Sequence, residues 1–191
     1  MVGTKLCAQA EVPEEYSDPK AADDWMQKWI TSIPSDRNAE GMLFLGRFAD
    51  PTYFITKEIA WRPEADKADE YSEIRVPAGF VTDFASIPRL FWSIVRPDGE
   101  YGYAAIVHDY LYWEQPIAKD KADNVFRFLM EDFKVDRIKV SAIYQAVKLG
   151  GRSAWNDNAK RRQNGEKRIL KRFPDEPTVR WEEWKRRDDV F

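Results

Sequence analysis

Residues 104–114 read AAIVHDYLYWE, and this stretch decides the helical half of the fold. Apolar side chains recur in it at helical spacing, which predicts a helix over residues 103–114. His108 is the only histidine in the chain of 191 residues. It lies about 100° round the helix from the apolar stripe, and Asp109 lies about another 100° away. The pattern predicts a core helix with two polar groups that face different neighbours.

A second helix, predicted at about residues 120–133, carries a carboxylate that His108 could reach. If the two helices are antiparallel, His108 lies roughly 9 Å back from the link between them and Asp123 roughly 6 Å forward of it. A carboxylate bonded to one imidazole nitrogen fixes the tautomer and leaves the other nitrogen to act as a base. The alternatives are that His108 is a polar group satisfied between two helices and that Asp123 is an exposed charge near a helix start.

Two aspartates are candidate metal ligands. Asp109 points away from His108 and could hold a hard divalent cation together with backbone carbonyls and waters. Such a cation would polarise an ester or amide carbonyl while His108 deprotonates water. Asp83, in the stretch TDFAS, is the second candidate. Its alternative role is in a turn where Asp83 and Ser86 satisfy backbone N–H groups before a short helix.

The order of elements predicts an α+β fold, a small antiparallel sheet followed by a helical half, with extensions at both ends. Two strand-like segments, 42–48 and 52–61, flank Asp50-Pro51 and predict a hairpin or a pair of strands, and a third strand is predicted over 71–81. Gly150-Gly151 predicts the end of a third helix, which begins near residue 137. We divide the chain into an N-terminal arm (1–40) with a short helix over 20–32, a core domain (41–151) and a charged C-terminal helical arm (152–191).

The two arms differ in charge. Residues 1–40 carry four basic and eight acidic side chains, and residues 152–191 carry twelve basic and eight acidic ones. This asymmetry predicts that the arms contact other protein subunits. Trp181 and Trp184 could anchor on a partner or fold back onto this chain's own core. The basic run KRRQNGEKRILKR could bind the phosphates of nucleic acid, but the acidic residues that follow it favour a solvated or subunit-contacting face over a nucleic-acid partner.

Several function classes are excluded by residue counts. Cys7 is the only cysteine, so neither an intrachain disulfide nor a cysteine-based metal site can form. One histidine also excludes zinc sites that need two imidazoles. The first residues, MVGTKLCAQAEVPEE, lack the pattern of a signal peptide, and no stretch reaches the roughly 20 apolar residues of a membrane span.

Several motifs in the middle of the chain resemble those of domain-of-unknown-function family 1353. These are GFVTDFASIPRLFW, HDYLY, ADNVF and AVKLGG, which follow one another over about residues 76–151. That family occurs in tailed phages and in bacteria, often as prophage genes. The resemblance implies a phage-type protein in the host cytoplasm or in the assembled virion, and it implies no particular activity.

HDYLY followed by ADNVF also resembles the active-site helices of phospholipase A2. By that resemblance His108 is the water-activating base, Asp109 is a calcium ligand, and Tyr112 and Asp123 orient the dyad. Calcium is accordingly the first cofactor expected. The sequence departs from that family upstream, where IPRLFWSIV stands in place of a glycine-rich calcium loop.

These observations support three hypotheses of function. In the first, the protein is a small hydrolase in which His108 activates water. In the second, it is a non-enzymatic virion component of the tail, neck or capsid, which uses its arms for subunit contacts. In the third, it is an accessory protein that binds a host factor, which predicts an exposed apolar patch rimmed by charge.

Overall fold

The computed structural model describes residues 38–84 and 101–191, and these ranges form part of one compact unit, residues 37–191. Two sequence predictions lie outside the described residues. They are the helix over residues 20–32 and the helix that Ser86 is expected to cap.

The strands of the described residues form two three-stranded antiparallel sheets, which confirms the α+β class. One sheet has the order β1-β4-β5 and the other the order β2-β3-β6. The strands are β1 (Ala39–Glu40), β2 (Leu45–Arg47), β3 (Tyr53–Ile55), β4 (Ile59–Trp61), β5 (Ile74–Val76) and β6 (Val81–Thr82). The hairpin predicted around Asp50-Pro51 is confirmed as the β2–β3 pair. The segments predicted as single strands, 52–61 and 71–81, each bend and contribute one strand to each sheet.

Three long helices follow the sheets, and a short one lies near the C-terminus. They are α1 (Gly102–Glu114), α2 (Lys119–Asp132), α3 (Arg137–Gln163) and α4 (Trp181–Trp184). The first two match their predicted bounds closely. The third begins as predicted, where the Asp136 side chain accepts hydrogen bonds from the backbone N–H groups of Ile138 and Lys139.

The prediction that the third helix ends at Gly150-Gly151 is wrong, because α3 continues to Gln163. A Cβ atom on Gly151 would lie only 2.3 Å from the hydroxyl oxygen of Tyr112 on α1. Glycine at this position therefore permits a close helix contact and does not terminate the helix. Glycine is less favourable than alanine inside a helix by about 1 kcal/mol, a deficit that tertiary packing commonly outweighs.

The segment after α3 returns to the second sheet. Ile169 forms a bridge with Phe80, and the N–H of Val81 donates to the carbonyl of Arg168 at 2.7 Å. The C-terminal arm, residues 152–191, is therefore helical only in part. It consists of the last turns of α3, an extended segment and the single turn of α4.

A cluster of buried apolar side chains, separate from the main core, holds this C-terminal segment against the sheet. Trp181 and Trp184 are both buried and pack in one cluster with Phe48 and Phe54. The two tryptophans thus fold back onto this chain's own core. Within residues 38–84 and 101–191, the structure contains no helix that is both long enough and apolar enough to cross a membrane.

Candidate active site

The site is built around a contact between α1 and α2. The Nε2 atom of His108 lies 3.1 Å from Oδ1 of Asp123, as the helix geometry predicted. Neither side chain is exposed to solvent. The imidazole stacks on the ring of Phe126, with centroids 4.5 Å apart and an interplanar angle of 20°. The prediction that Asp123 is an exposed charge at a helix start is therefore wrong.

Two further donors hold the Asp123 carboxylate. The Tyr112 hydroxyl donates to Oδ1 at 2.7 Å, and the Lys119 ammonium donates to Oδ2 at 2.7 Å. Burial by itself raises the pKa of Asp123, but the hydrogen bonds from His108, Lys119 and Tyr112 outweigh it, so the pKa lies below its ordinary value. Burial and the Asp123 charge raise the pKa of Tyr112, which keeps its hydroxyl protonated as a donor.

Lys119 is the site residue that the sequence reasoning missed. Its side chain is almost fully buried, and besides Asp123 its ammonium contacts the backbone carbonyl of Val147 at 3.3 Å. Lys119 therefore connects Asp123 on α2 with the backbone of α3. The i,i+4 spacing of Lys119 and Asp123 on α2 was the available signal, because side chains four apart share one face of a helix.

Asp109 faces a different neighbour from His108, as predicted. It is 4% exposed and accepts a hydrogen bond from the hydroxyl of Thr82 on β6. The same hydroxyl accepts from the backbone N–H of Phe84 at 3.2 Å. Phe84 has a φ of 54°, in the left-handed region, a backbone conformation that costs a non-glycine residue about 1 kcal/mol or more. The contact anchors this strained turn to α1.

Asp109 and Asp83 line one wall of a cleft of about 320 Å³, and α3 forms the opposite wall. Arg168, which lines it too, places Nη2 3.6 Å from Oδ2 of Asp83. Among the described residues no group of three histidine, cysteine, aspartate or glutamate side chains could hold a metal ion. Calcium takes six to eight oxygen ligands, and a neighbouring guanidinium opposes a cation. The described residues alone therefore do not fit a calcium site.

The structure thus sorts the predicted site residues into two sets. His108, Tyr112 and Asp123 converge in one buried network, which Lys119 completes. Asp109 and Asp83 line a neighbouring cleft instead. Together the two sets define an α+β protein with a buried histidine–aspartate dyad between two helices and, beside the first of them, a cleft lined by aspartates and arginines.

Comparison with known proteins supports the family predicted from the motifs. Residues 60–147, a little under half of the chain, match the family described as "Protein of unknown function (DUF1353)". The matched region includes α1, α2 and the dyad. No curated protein and no solved structure matches the chain.

Proposed function

We propose that this is a phage-type protein with a hydrolytic site in which His108 activates water for attack on an ester or amide. The observation that carries the proposal is the 3.1 Å contact between His108 Nε2 and a carboxylate that Tyr112 and Lys119 also hold. Such a carboxylate orients the imidazole and stabilises the imidazolium that forms when the base accepts a proton.

The proposed reaction balances with water as the only co-reactant. Nδ1 of His108 takes a proton from water, and the resulting hydroxide adds to the carbonyl carbon. The tetrahedral intermediate then expels the alcohol or amine, which takes the proton back from His108. The products are a carboxylic acid and an alcohol or amine. The ring has no exposed surface in this structure, so substrate must open a path to it.

The phage setting and the divalent cation come from the resemblances and remain proposals. Calorimetric titration with calcium, magnesium and manganese tests the cation on wild type and on Asp109→Asn. If a cation binds at Asp109, wild type releases or absorbs heat and Asp109→Asn does so less. Absence of heat with wild type would remove the cation and leave the dyad as the proposal.

Hydrolysis assays test the proposed reaction. We would compare wild type, His108→Asn and Asp120→Asn on a panel of chromogenic esters and anilides and on phosphatidylglycerol vesicles. Asp120 is exposed on the same helix as Asp123, so its variant is the matched control. We expect His108→Asn to lose at least a hundredfold in kcat, the usual contribution of a general base, and Asp120→Asn to keep full activity.

The complete burial of the network favours a second candidate, a non-enzymatic virion or assembly component. A buried set of hydrogen-bonded polar groups can serve to fix how helices pack, without taking part in any reaction. In that case His108→Asn changes stability and leaves every other property of the folded protein unchanged. Subunit contacts of the arms and binding of a host factor belong to this candidate, and sedimentation of the full chain tests self-association.

A further inference from the structure

A basic cleft of about 520 Å³ lies between the C-terminal end of α3 and the last residues of the chain. None of the residues of the His108 network lines it, and it shares Arg161 with the cleft that Asp83 and Asp109 line. Five basic side chains line it, and only two acidic ones do. The basic residues are Arg161, Lys167, Lys185, Arg186 and Arg187, and the acidic residues are Glu166 and Asp188.

Ion pairs compensate only part of this positive charge. Lys185 pairs with Glu182 at 2.7 Å, and Arg187 lies 3.5 Å from Asp189. The remaining three basic side chains of the lining form no ion pair with any residue in the described ranges. These are Arg161, Lys167 and Arg186, and all three are exposed. Cations gathered in a concave surface repel one another and attract an anion.

An aromatic ring forms part of the same lining. Phe191 is half-buried, and its ring packs edge-on against Trp181 with centroids 6.1 Å apart. The Lys167 ammonium lies 5.9 Å from the Phe191 ring centroid. Cations beside a fixed aromatic face are the combination with which proteins hold single-stranded nucleic acid, since the cations meet phosphates and the ring stacks on a base.

We propose that this cleft binds a segment of single-stranded nucleic acid. Arg161, Lys167 and Arg186 contact its phosphates, and Phe191 stacks on a base. From the sequence alone, the basic run at residues 160–172 did not predict nucleic-acid binding, because acidic residues follow it. The fold changes the local charge by bringing Lys185–Arg187 beside that run.

Fluorescence anisotropy of a labelled single-stranded oligonucleotide, titrated with the full chain, tests the proposal. We expect Lys167→Glu to weaken binding about tenfold and to reduce the salt dependence by about one phosphate contact. Lys139→Glu is the matched control. It makes the same charge change at an exposed position on α3, about 33 Å along the helix from Arg161, and should bind like wild type.

A second variant separates the aromatic contact from the phosphate contacts. Phe191→Leu keeps apolar packing against Trp181 but removes the stacking face. It should weaken oligonucleotide binding and leave binding of inorganic polyphosphate unchanged. Three results would overturn the proposal: no binding by wild type at low salt, equal losses in Lys167→Glu and Lys139→Glu, or binding of phosphatidylglycerol vesicles without binding of the oligonucleotide.

Discussion

Asp123 and Asp132 lie on the same helix, α2, and both are at least partly withdrawn from water, yet their surroundings differ. Asp123 accepts hydrogen bonds from three donors, which are His108, Tyr112 and Lys119. Asp132 accepts one long hydrogen bond, 3.4 Å from the Asn38 amide to Oδ1, and the Trp61 indole N–H near its buried Oδ2 lies outside good hydrogen-bond geometry. Burial, reinforced by the nearby charge of Glu64, raises the pKa of Asp132 to about 6.

The comparison distinguishes two partly or fully buried carboxylates. Asp132 has one weak hydrogen bond, whereas Asp123 is held by several donors. Stability alone does not require a buried network, because apolar side chains of similar volume usually stabilise a core as well or better. The polar set at Asp123 has a specific geometry instead, since it orients one imidazole. We infer that this geometry serves His108, whereas no such arrangement surrounds Asp132.

The largest expected effect is that of Asp123→Ala. Removing the carboxylate leaves the buried Lys119 ammonium and the Tyr112 hydroxyl without their partner, so the free energy of unfolding should fall by about 3–5 kcal/mol. Urea denaturation measures this change. Asp120→Ala, at an exposed position in the first turn of α2, should lower the free energy of unfolding by less than about 1 kcal/mol, the usual contribution of an acidic side chain near a helix N-terminus. Similar values for the two variants would remove the distinction between Asp123 and an ordinary helix charge.

A smaller effect is expected from filling the space beside Tyr112. A Cβ on Gly151 would lie 2.3 Å from the Tyr112 hydroxyl oxygen and 3.2 Å from Lys119 Cε, whereas one on Gly150 meets nothing within 4 Å. Gly151→Ala should therefore lower the free energy of unfolding by about 1–3 kcal/mol, because it displaces groups that hold Asp123. Gly150→Ala should raise it by up to about 1 kcal/mol through helix propensity. Thermal unfolding of the two variants checks the pair, and equal shifts would mean that α3 does not pack tightly here.

The smallest effect concerns Asp132 and depends on pH. Its pKa in the fold, about 6, is higher than its ordinary value of 3.8, so the protonated form is favoured in the folded state. Its contribution to stability is present below pH 4 and is lost as the pH rises through 6. Asp132→Asn should therefore stabilise the protein by about 1 kcal/mol at pH 8, allowing for solvent screening, and by almost nothing at pH 4. Urea denaturation at the two pH values tests this, and an effect independent of pH would contradict it.

The sequence predicted α1, α2 and the proximity of His108 and Asp123, because all three follow from short-range periodicity. His108 and Asp123 lie on neighbouring helices joined by a short link, so helix rise alone places them at similar depth. Tyr112 follows one turn after His108 on the same face, which brings its hydroxyl to the same carboxylate. The proximity of His108 and Asp123 needed no knowledge of the rest of the fold, whereas the role of Tyr112 beside them came from the resemblance to phospholipase A2.

Other features depend on packing between distant segments and could not be predicted in the same way. Lys119 is buried only because α3 covers it and offers the Val147 carbonyl, and lysine is rarely a core residue. Gly151 has the local appearance of a helix end, and only its contact with Tyr112 explains why the helix continues. The return of Trp181 and Trp184 to the sheet likewise depends on partners more than a hundred residues earlier, such as Phe48.

The central claim is that His108 is a reactive base and not a permanently buried structural group. Its reaction with diethyl pyrocarbonate tests this claim most directly. The chain has one histidine, so the ultraviolet absorbance of carbethoxyimidazole reports on His108 alone. Under native conditions we predict that His108 reacts much faster than the protein unfolds globally, with the unfolding rate measured in parallel. Reaction that proceeds only at the rate of global unfolding would contradict the claim and leave the network a structural one.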